Sequence, residues 1–159
     1  MTEKTTEKEL TTASSIFHTT WEPKSERRFI VHMTHPKTKA HLIEAYLIKY
    51  IDRSGFTMFR GKKLWHTIKM RVYESIMPSH VLFRLLGAGT FNIQVNELGP
   101  VGDVIETWCV PDCHFKEVKA TPLDWSQVGN VSEVQCEIDW TEIIVRRTDG
   151  SEFKIENKE

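Results

Sequence analysis

Residues 131–140 alternate between apolar and polar side chains, which is the two-residue period of a β-strand. One face of this strand would carry Val134, Cys136, Ile138 and Trp140. The opposite face would carry Glu133, Gln135, Glu137 and Asp139. Because three carboxylates on one strand face are costly to bury, that face must be in contact with water. The segment therefore predicts a strand that separates an apolar core from a wet, acidic surface.

Short segments of the same kind recur along the chain and are separated by turn residues. Strands are predicted at residues 29–33, 42–51, 64–73, 91–95, 104–110, 113–120, 131–140, 142–147 and 152–156. Gly99, Pro100 and Gly102 supply the dihedral angles of a hairpin loop before the strand at 104. Many short strands spaced by turns favour an antiparallel β-sandwich or rolled barrel.

A single helix is predicted, at about residues 79–86. Ser79 is a suitable N-cap, and Gly87 is a suitable C-terminal stop. The apolar stripe of the helix consists of Val81, Leu82, Leu85 and Leu86. The predicted fold class is therefore mainly β, with one flanking α-helix.

The chain divides by composition into an arm and one domain. Residues 1–26 are rich in Thr, Glu, Lys and Ser, and their large aromatic anchors are Phe17 and Trp21. Such a segment cannot bury enough apolar surface to fold alone, so we expect it to become ordered only against neighbouring subunits. Residues 27–159 are predicted to form the β domain, which is long enough for a core of its own.

Composition excludes several classes of protein. The formal net charge of -1 argues against a nucleic-acid binder that relies on a basic excess. No apolar run approaches the ~20 residues of a membrane span, and the first ten residues lack the apolar region of a secretory signal. We therefore expect no membrane anchor. Three cysteines, an odd number, favour synthesis in a reducing compartment.

The motifs that could suggest an enzyme do not match the patterns of known catalytic sites. The turn Arg60, Gly61, Lys62 and Lys63 resembles a phosphate-binding loop, but the glycine spacing is wrong and no Ser or Thr follows the lysine. Glu137 and Asp139 lie on one strand, whereas the carboxylate pairs of glycosidases usually come from different elements. We predict a basic surface turn at residues 60–63, no catalytic residues and no enzymatic activity.

Cysteine and histidine residues offer weak candidates for a metal site. Cys109, Cys113 and His114 are close in sequence, and His32 or His35 could join them. A structural zinc site normally needs a second pair of ligands, which the sequence does not provide in a recognisable spacing. We expect ordinary thiols, no bound metal and no cofactor. A disulfide between Cys109 and Cys113, or one between subunits, stays open, as does the redox state of Cys136.

The order of several motifs resembles the C-terminal half of the tail-tube proteins of contractile-tailed bacteriophages. The motifs are a Trp-bearing strand, a strand with an apolar patch, an aspartate-aromatic turn, and a closing strand that ends in an acidic-aromatic pair. They correspond here to Glu106, Thr107 and Trp108, then Val118, then Leu123, Asp124, Trp125 and Ser126, then Glu133, Val134, Asp139 and Trp140. Phe56, Trp65, Ile68 and Val72 match the central strand of the family. The resemblance covers residues 28–145.

The resemblance implies a structural virion protein. Tail-tube subunits form hexameric rings through edge-to-edge strand pairing, and the rings stack into a conduit that DNA passes without specific binding. The implied partners are copies of the chain itself, the tail sheath protein, the tape-measure protein and baseplate proteins. The implied location is the virion tail, after assembly in the host cytoplasm.

The polar arm and the three cysteines depart from the family pattern and leave other functions open. A baseplate tube-initiator subunit and the hexameric tube protein of type VI secretion, which are related to the family, stay as alternatives. From a different class, a monomeric ligand-binding β-barrel is the alternative.

Two sets of residues carry the expected role in a tube. The acidic strand face of Glu133, Gln135, Glu137 and Asp139 is predicted to line the lumen and to repel DNA weakly, although the same face could simply meet solvent outside. Large aromatic side chains usually anchor cores and interfaces, and this is the role expected of Trp65, Trp108, Trp125 and Trp140.

Overall fold

The computed structural model describes residues 28–74 and 81–157, which form a mainly β structure with one helix. The strands are β1 Phe29–Thr34, β2 His41–Ile43, β3 Ile48–Ile51, β4 Phe56–Phe59, β5 Lys62–Trp65, β6 Ile68–Tyr73, β7 Phe91–Leu98, β8 Val104–Ala120, β9 Glu133–Asp139, β10 Glu142–Arg147 and β11 Glu152–Glu156. Helix α1 Val81–Leu86 lies between β6 and β7. All strand pairs are antiparallel, so the predicted fold class is confirmed.

Two sheets share the long strand β8. The first sheet has the order β2-β1-β7-β8-β10-β11, and it uses the N-terminal half of β8. The second sheet has the order β3-β6-β9-β8, and it uses residues 114–120 of β8. Between the two halves, the pairing register shifts and Asp112 adopts a φ of 50°. An irregularity of this kind bends a strand, which lets β8 pass from one sheet to the other.

The core lies between the inward faces of the two sheets. Its largest fully buried side chains include Phe91, Met33, Ile43, Met70, Leu85, Ile93, Ile138 and Ile143. The predicted inward face of β9 is confirmed, because Val134, Cys136 and Ile138, with Trp140 just after the strand, are at most 3% exposed. Burial of such side chains is the main favourable term in the stability of a sandwich.

Four predicted strands are joined or divided differently in the structure. The predicted strands 104–110 and 113–120 are one continuous strand, because pairing resumes after the irregularity at Asp112. The predicted strand 42–51 is divided into β2, a 3-10 turn at Ala45–Leu47 and β3. The predicted strand 64–73 is divided into β5 and β6, because β5 pairs with β4 whereas β6 pairs with β3 and β9.

Helix α1 buries only part of its predicted apolar stripe. Val81 and Leu85 are buried and Leu82 is partly buried, but Leu86 is 58% exposed. Each helical residue turns by about 100°, so Leu86 is rotated away from the core that Leu85 enters. The Gly87 N–H donates to the Phe83 carbonyl at 3.0 Å, which confirms the predicted end of the helix.

Two sequence predictions lie outside the described residues. They are the N-cap at Ser79 and the polar arm of residues 1–26, so the boundary between arm and domain stays a prediction. Within residues 28–74 and 81–157, α1 is the sole α-helix, and no helix has the length and apolar character needed to cross a membrane.

Candidate assembly surface

The second sheet has one unpaired strand at each edge. β3 pairs only with β6, and residues 114–120 of β8 pair only with β9. No other strand of the described ranges lies beside either outer edge. An unpaired edge presents a row of backbone N–H and C=O groups that another strand can bind. The sheet therefore offers two sites for pairing with further copies of the chain.

The two edges run in opposite directions. The order β3-β6-β9-β8 contains four strands, and each is antiparallel to its neighbour. A rotation about an axis along the strands keeps each strand's direction. Such a rotation would place β3 of one copy antiparallel to β8 of the next. The pairing between copies would then have the same antiparallel type as the pairing within each copy, and heterologous contacts of this kind form a ring when the rotation closes.

The outward face of the second sheet carries charges of both signs. Glu133, Gln135, Glu137 and Asp139 lie on it as predicted, opposite the buried face of β9. The neighbouring strands add basic side chains. On β6, Lys69 is paired with Glu137 and Arg71 with Gln135. On β8, Lys119 is paired with Gln135. The strand β9 is acidic, as predicted. The outward face of the whole second sheet is not, because its neighbouring strands add positive charges, so the expectation of an acidic wall is corrected.

Ion pairs hold several of these carboxylates. Lys49 pairs with Glu133, and the Lys116 Nζ lies 3.7 Å from Glu137 Oε1. The imidazole of His114 lies close to Asp139, with 3.8 Å between Nε2 and Oδ2. Glu137 also accepts a 2.6 Å hydrogen bond from the Thr67 hydroxyl. The Thr67 hydrogen bond, with the nearby charges of Lys116 and Lys69, lowers the pKa of Glu137 below its ordinary value. Glu137 is therefore firmly ionised at neutral pH.

The hairpin β4–β5 extends away from both sheets. Its strands pair with each other and with no other strand of the described residues. The turn residues Arg60 and Gly61 both have positive φ angles, 48° and 75°. A two-residue hairpin loop of type I′ requires positive φ at both positions, and glycine adopts it without strain. This confirms the basic surface turn predicted for residues 60–63, although the hairpin around it was not predicted.

The surface of this hairpin is both apolar and basic. Phe56, Met58, Phe59 and Leu64 are 44–57% exposed. The hairpin contains Arg60, Lys62 and Lys63 but no acidic residue. The Lys63 Nζ lies 4.9 Å from the centre of the Phe56 ring, and the Arg60 guanidinium lies 5.2 Å from the Phe59 ring. A cluster of large exposed apolar side chains on a soluble domain marks an interaction surface.

The base of the hairpin is fixed to the core by aromatic contacts. Trp65 packs edge-to-face on Trp140, with ring centres 5.6 Å apart. Trp140 is buried, and its Nε1 donates to the His66 carbonyl at 2.9 Å. The hairpin is thus anchored at one end and free at the other, which suits a projection that contacts a partner.

A second exposed apolar region is the loop of residues 121–132, between β8 and β9. Leu123 and Val128 are more than 90% exposed, and Trp125 is fully exposed. Asp124 accepts hydrogen bonds from the Ser126 N–H and hydroxyl, at 2.9 and 2.7 Å. These bonds lower the pKa of Asp124 and keep it charged. A long loop without regular structure in a compact domain is usually functional.

The hairpin and the loop lie at opposite ends of the second sheet. The hairpin connects the end of β3 to the start of β6, near the pair formed by His114 and Asp139. The loop joins Ala120 to Glu133, and Glu133 pairs with Tyr73 at the other end of β6. The seven residues of β9 separate the two ends by about 23 Å at the usual strand rise. The two exposed regions thus face opposite directions along the strands.

The four predicted aromatic anchors have three different environments. Trp140 lies in the core, and Trp65 and Trp108 are half-buried against it. The Trp108 Nε1 donates to Glu106 at 2.7 Å. Trp125 lies outside the core, because it is fully exposed in the loop of residues 121–132. Its role at an interface stays a prediction.

The candidate metal ligands do not converge. Cys113 is buried and its Sγ lies 3.0 Å from the Phe91 carbonyl, while Cys109 is half-buried on the same strand. Residues 28–74 and 81–157 contain no group of three or more possible ligands, with His32 and His35 included. All three cysteines are free thiols in the structure. Burial raises the pKa of Cys113 and of Cys136 to about 12, so neither is a nucleophile at neutral pH.

Comparison with known proteins identifies the fold. No family model and no curated protein matches the sequence. Among solved structures, the Hcp1 protein from E. coli EAEC 042 pathovar is similar with a TM-score of 0.62 and 6% identity, over 83% of this chain and 98% of that one. A chain of the PVC extracellular contractile injection system, from its sheath-tube complex in the extended state, is also similar. It has a TM-score of 0.58 and 12% identity, over 80% of this chain and 94% of that one.

A third similar structure is the tube-terminating cap of the anti-feeding prophage, with a TM-score of 0.57 and 11% identity over 80% of this chain and 93% of that one. The fold implied by the sequence resemblance is therefore confirmed: this chain has the Hcp-like tube fold. The neighbours are structural proteins of tube assemblies and not enzymes, as predicted.

Proposed function

We propose that this protein is a structural subunit of a tail-type tube, in which six copies close into a ring and rings stack into a conduit. The observation that carries the proposal is the pair of free edges on the second sheet. These edges lie on opposite sides of the sheet and run in opposite directions. A rotation about an axis along the strands would therefore bring β3 of one copy beside β8 of the next in antiparallel pairing. The similarity of the fold to tube proteins of contractile injection systems supports the same arrangement.

Stacking of rings uses the two exposed ends of the sheet. The hairpin β4–β5 of one ring would contact the 121–132 loop of the next ring. Both surfaces are apolar, and the charges of Arg60, Lys62 and Lys63 complement Asp124 in the loop and Glu74 beside it. Head-to-tail contacts of this kind are heterologous and extend without limit along an axis, as a tube requires.

The outward face of the second sheet would line the lumen. It carries the predicted residues Glu133, Gln135, Glu137 and Asp139, and it also carries lysine and arginine from the neighbouring strands. A wall with nearly balanced charge gives DNA little to bind, because affinity for the phosphate backbone grows with the number of unopposed cations. Passage of DNA without retention then follows from charge balance instead of net repulsion.

A charge reversal tests the lumen assignment. Glu137→Lys combined with Asp139→Lys would make the face strongly basic, so tubes should still form but should retain DNA in a salt-dependent way. Glu152→Lys with Glu156→Lys on β11 is the matched control and should leave DNA passage unchanged. If both double variants behave alike in a DNA-retention assay on assembled tubes, the second sheet does not line the lumen.

The tube belongs, on this proposal, to a bacteriophage tail. Its partners would be the sheath, tape-measure and baseplate proteins, and its location would be the virion after assembly in the host cytoplasm. A baseplate tube-initiator and a type VI secretion tube subunit are alternatives that share the fold. Similar structures come from a sheath-tube complex, a baseplate and a tube cap, as well as from Hcp proteins.

Assembly of the purified protein is the decisive measurement. Negative-stain electron microscopy and light scattering at high concentration should show rings and stacked tubes. The Asp52 N–H donates to the Lys69 carbonyl, so the N–H of the preceding residue, Ile51, points away from β6 toward the outer edge. A variant with Ile51→Pro removes this donor from the edge strand β3, and it should fold but remain monomeric. A parent protein that stays a compact monomer at high concentration would overturn the proposal in favour of a monomeric ligand-binding β-barrel.

A further inference from the structure

A groove of about 1250 Å³ separates the two sheets on the side of β1 and β3. Its inner wall is apolar and includes Val31, Ile48, Val95 and Trp108. Arg53 crosses it, with its guanidinium 5.7 Å from the Trp108 ring and its Nη1 2.7 Å from Glu97. The groove thus has an apolar inner wall and also contains charged side chains, a combination that can bind a polypeptide segment.

One wall of the groove is a strand edge that no other described strand pairs with. β2 pairs with β1 only at Met33 and Thr34, so no strand of the described ranges lies beside residues 29–32. The Leu98 N–H donates to the Arg28 carbonyl at 2.8 Å, which fixes the hydrogen-bonding parity of β1 against β7. The backbone groups of Phe29 and Val31 therefore point away from β7 and toward the groove. They form a row of donors and acceptors that an added strand would satisfy.

We propose that residues 16–21 of the same chain bind in this groove as an added strand along β1. The segment reads Ile, Phe, His, Thr, Thr, Trp, which combines high β-propensity with the large aromatic anchors of the arm. Arg28, where the described part of the chain begins, lines the groove. The six intervening residues reach up to ~20 Å when extended, so the segment can enter the groove of its own chain.

Binding within one chain is favoured over binding to a neighbouring subunit, although the composition of the arm alone predicts order only against neighbours. A short tether gives a high effective concentration, so each copy fills its own groove before another copy can compete. The added strand pairs with the outer edge of β1. It also covers an edge that would otherwise be open to uncontrolled pairing. The inference therefore goes beyond the proposed tube and does not depend on it.

Hydrogen exchange on the full-length protein, kept dilute enough to be monomeric, tests the proposal. The amides of Phe29 and Val31 should be protected in the parent chain. In the Phe17→Ser/Trp21→Ser variant they should exchange at least about tenfold faster, because their partner strand is lost. Leu10→Ser, an apolar-to-polar change elsewhere in the arm, is the matched control and should change nothing.

Two further measurements identify the occupant. Protection should be independent of protein concentration over a tenfold dilution, and a peptide of residues 13–24 should restore it to a chain that lacks residues 1–24. Equal exchange in the parent and in the double variant would show that the segment does not occupy the groove. Protection that falls on dilution would assign it to a second copy and overturn binding within the chain. Failure of ring assembly would leave this result unaffected, because the measurement is made on the monomer.

Discussion

The hairpins β4–β5 and β10–β11 have opposite relations to the core. β10 pairs with β8 as well as with β11, and it buries Ile143 and Val145. Among the strands that the structure describes, β4 pairs with β5 alone, and its apolar side chains stay largely exposed. The apolar content of a hairpin thus does not decide its burial; pairing with a third strand does. The apolar surface of β4–β5 is left over for a partner outside the domain.

The largest expected effect is on stability, and it separates the two hairpins directly. Ile143→Ala should lower the free energy of unfolding by about 2–5 kcal/mol, because it leaves a cavity in the core. Leu64→Ala, on the exposed hairpin, should change it by no more than ~0.5 kcal/mol. Urea unfolding of the monomer measures both. Similar losses for the two variants would show that β4–β5 is packed against the domain after all.

The next effect is on assembly, where the roles of the two hairpins reverse. Met58→Asp combined with Phe59→Asp should raise the concentration needed for tube formation at least about tenfold, because it puts charges into an apolar contact. The monomer should remain as stable as the parent. Phe153→Asp on β11, which is also exposed, serves as the control and should assemble normally. Sedimentation at increasing concentration provides the measurement.

A smaller effect should appear in a charge exchange between the two ends of the second sheet. Lys62→Glu and Asp124→Lys should each weaken stacking roughly twofold to fivefold, as expected for exposed ion pairs, and the combination should recover most of the loss. The recovery should disappear at high salt. Additive losses in the double variant would mean that the hairpin and the loop do not meet.

The smallest effect concerns the ion pairs that lie along β10–β11. The Lys154 Nζ is 3.2 Å from Glu142 and 3.4 Å from Glu156, and these carboxylates, Glu142 first, raise the pKa of Lys154. A raised lysine pKa stabilises the fold below the ordinary pKa, and this contribution is lost as pH rises through the raised value. Glu142→Gln should move the pKa of Lys154 toward its ordinary value more than Glu156→Gln does, as NMR titration would measure.

The sequence predicted those features that depend on neighbours along the chain. The inward parity of β9, the end of α1 at Gly87 and the turn before β8 all follow from side-chain period and from glycine. At that turn, Gly102 adopts a φ of 84°, which other residues rarely tolerate. The tube fold itself came from the order of motifs, since no single strand is diagnostic of it.

The tertiary structure decided which faces and edges are satisfied. The strand β9 is acidic in sequence, but Lys69 and Lys116 come beside Glu137 only after β6, β8 and β9 are paired. Trp125 and Trp140 are both tryptophans near charged residues, yet one is fully exposed and the other is buried. The physical reason is that a strand's period is local, whereas its register and its neighbours are fixed by pairing between segments far apart in the chain.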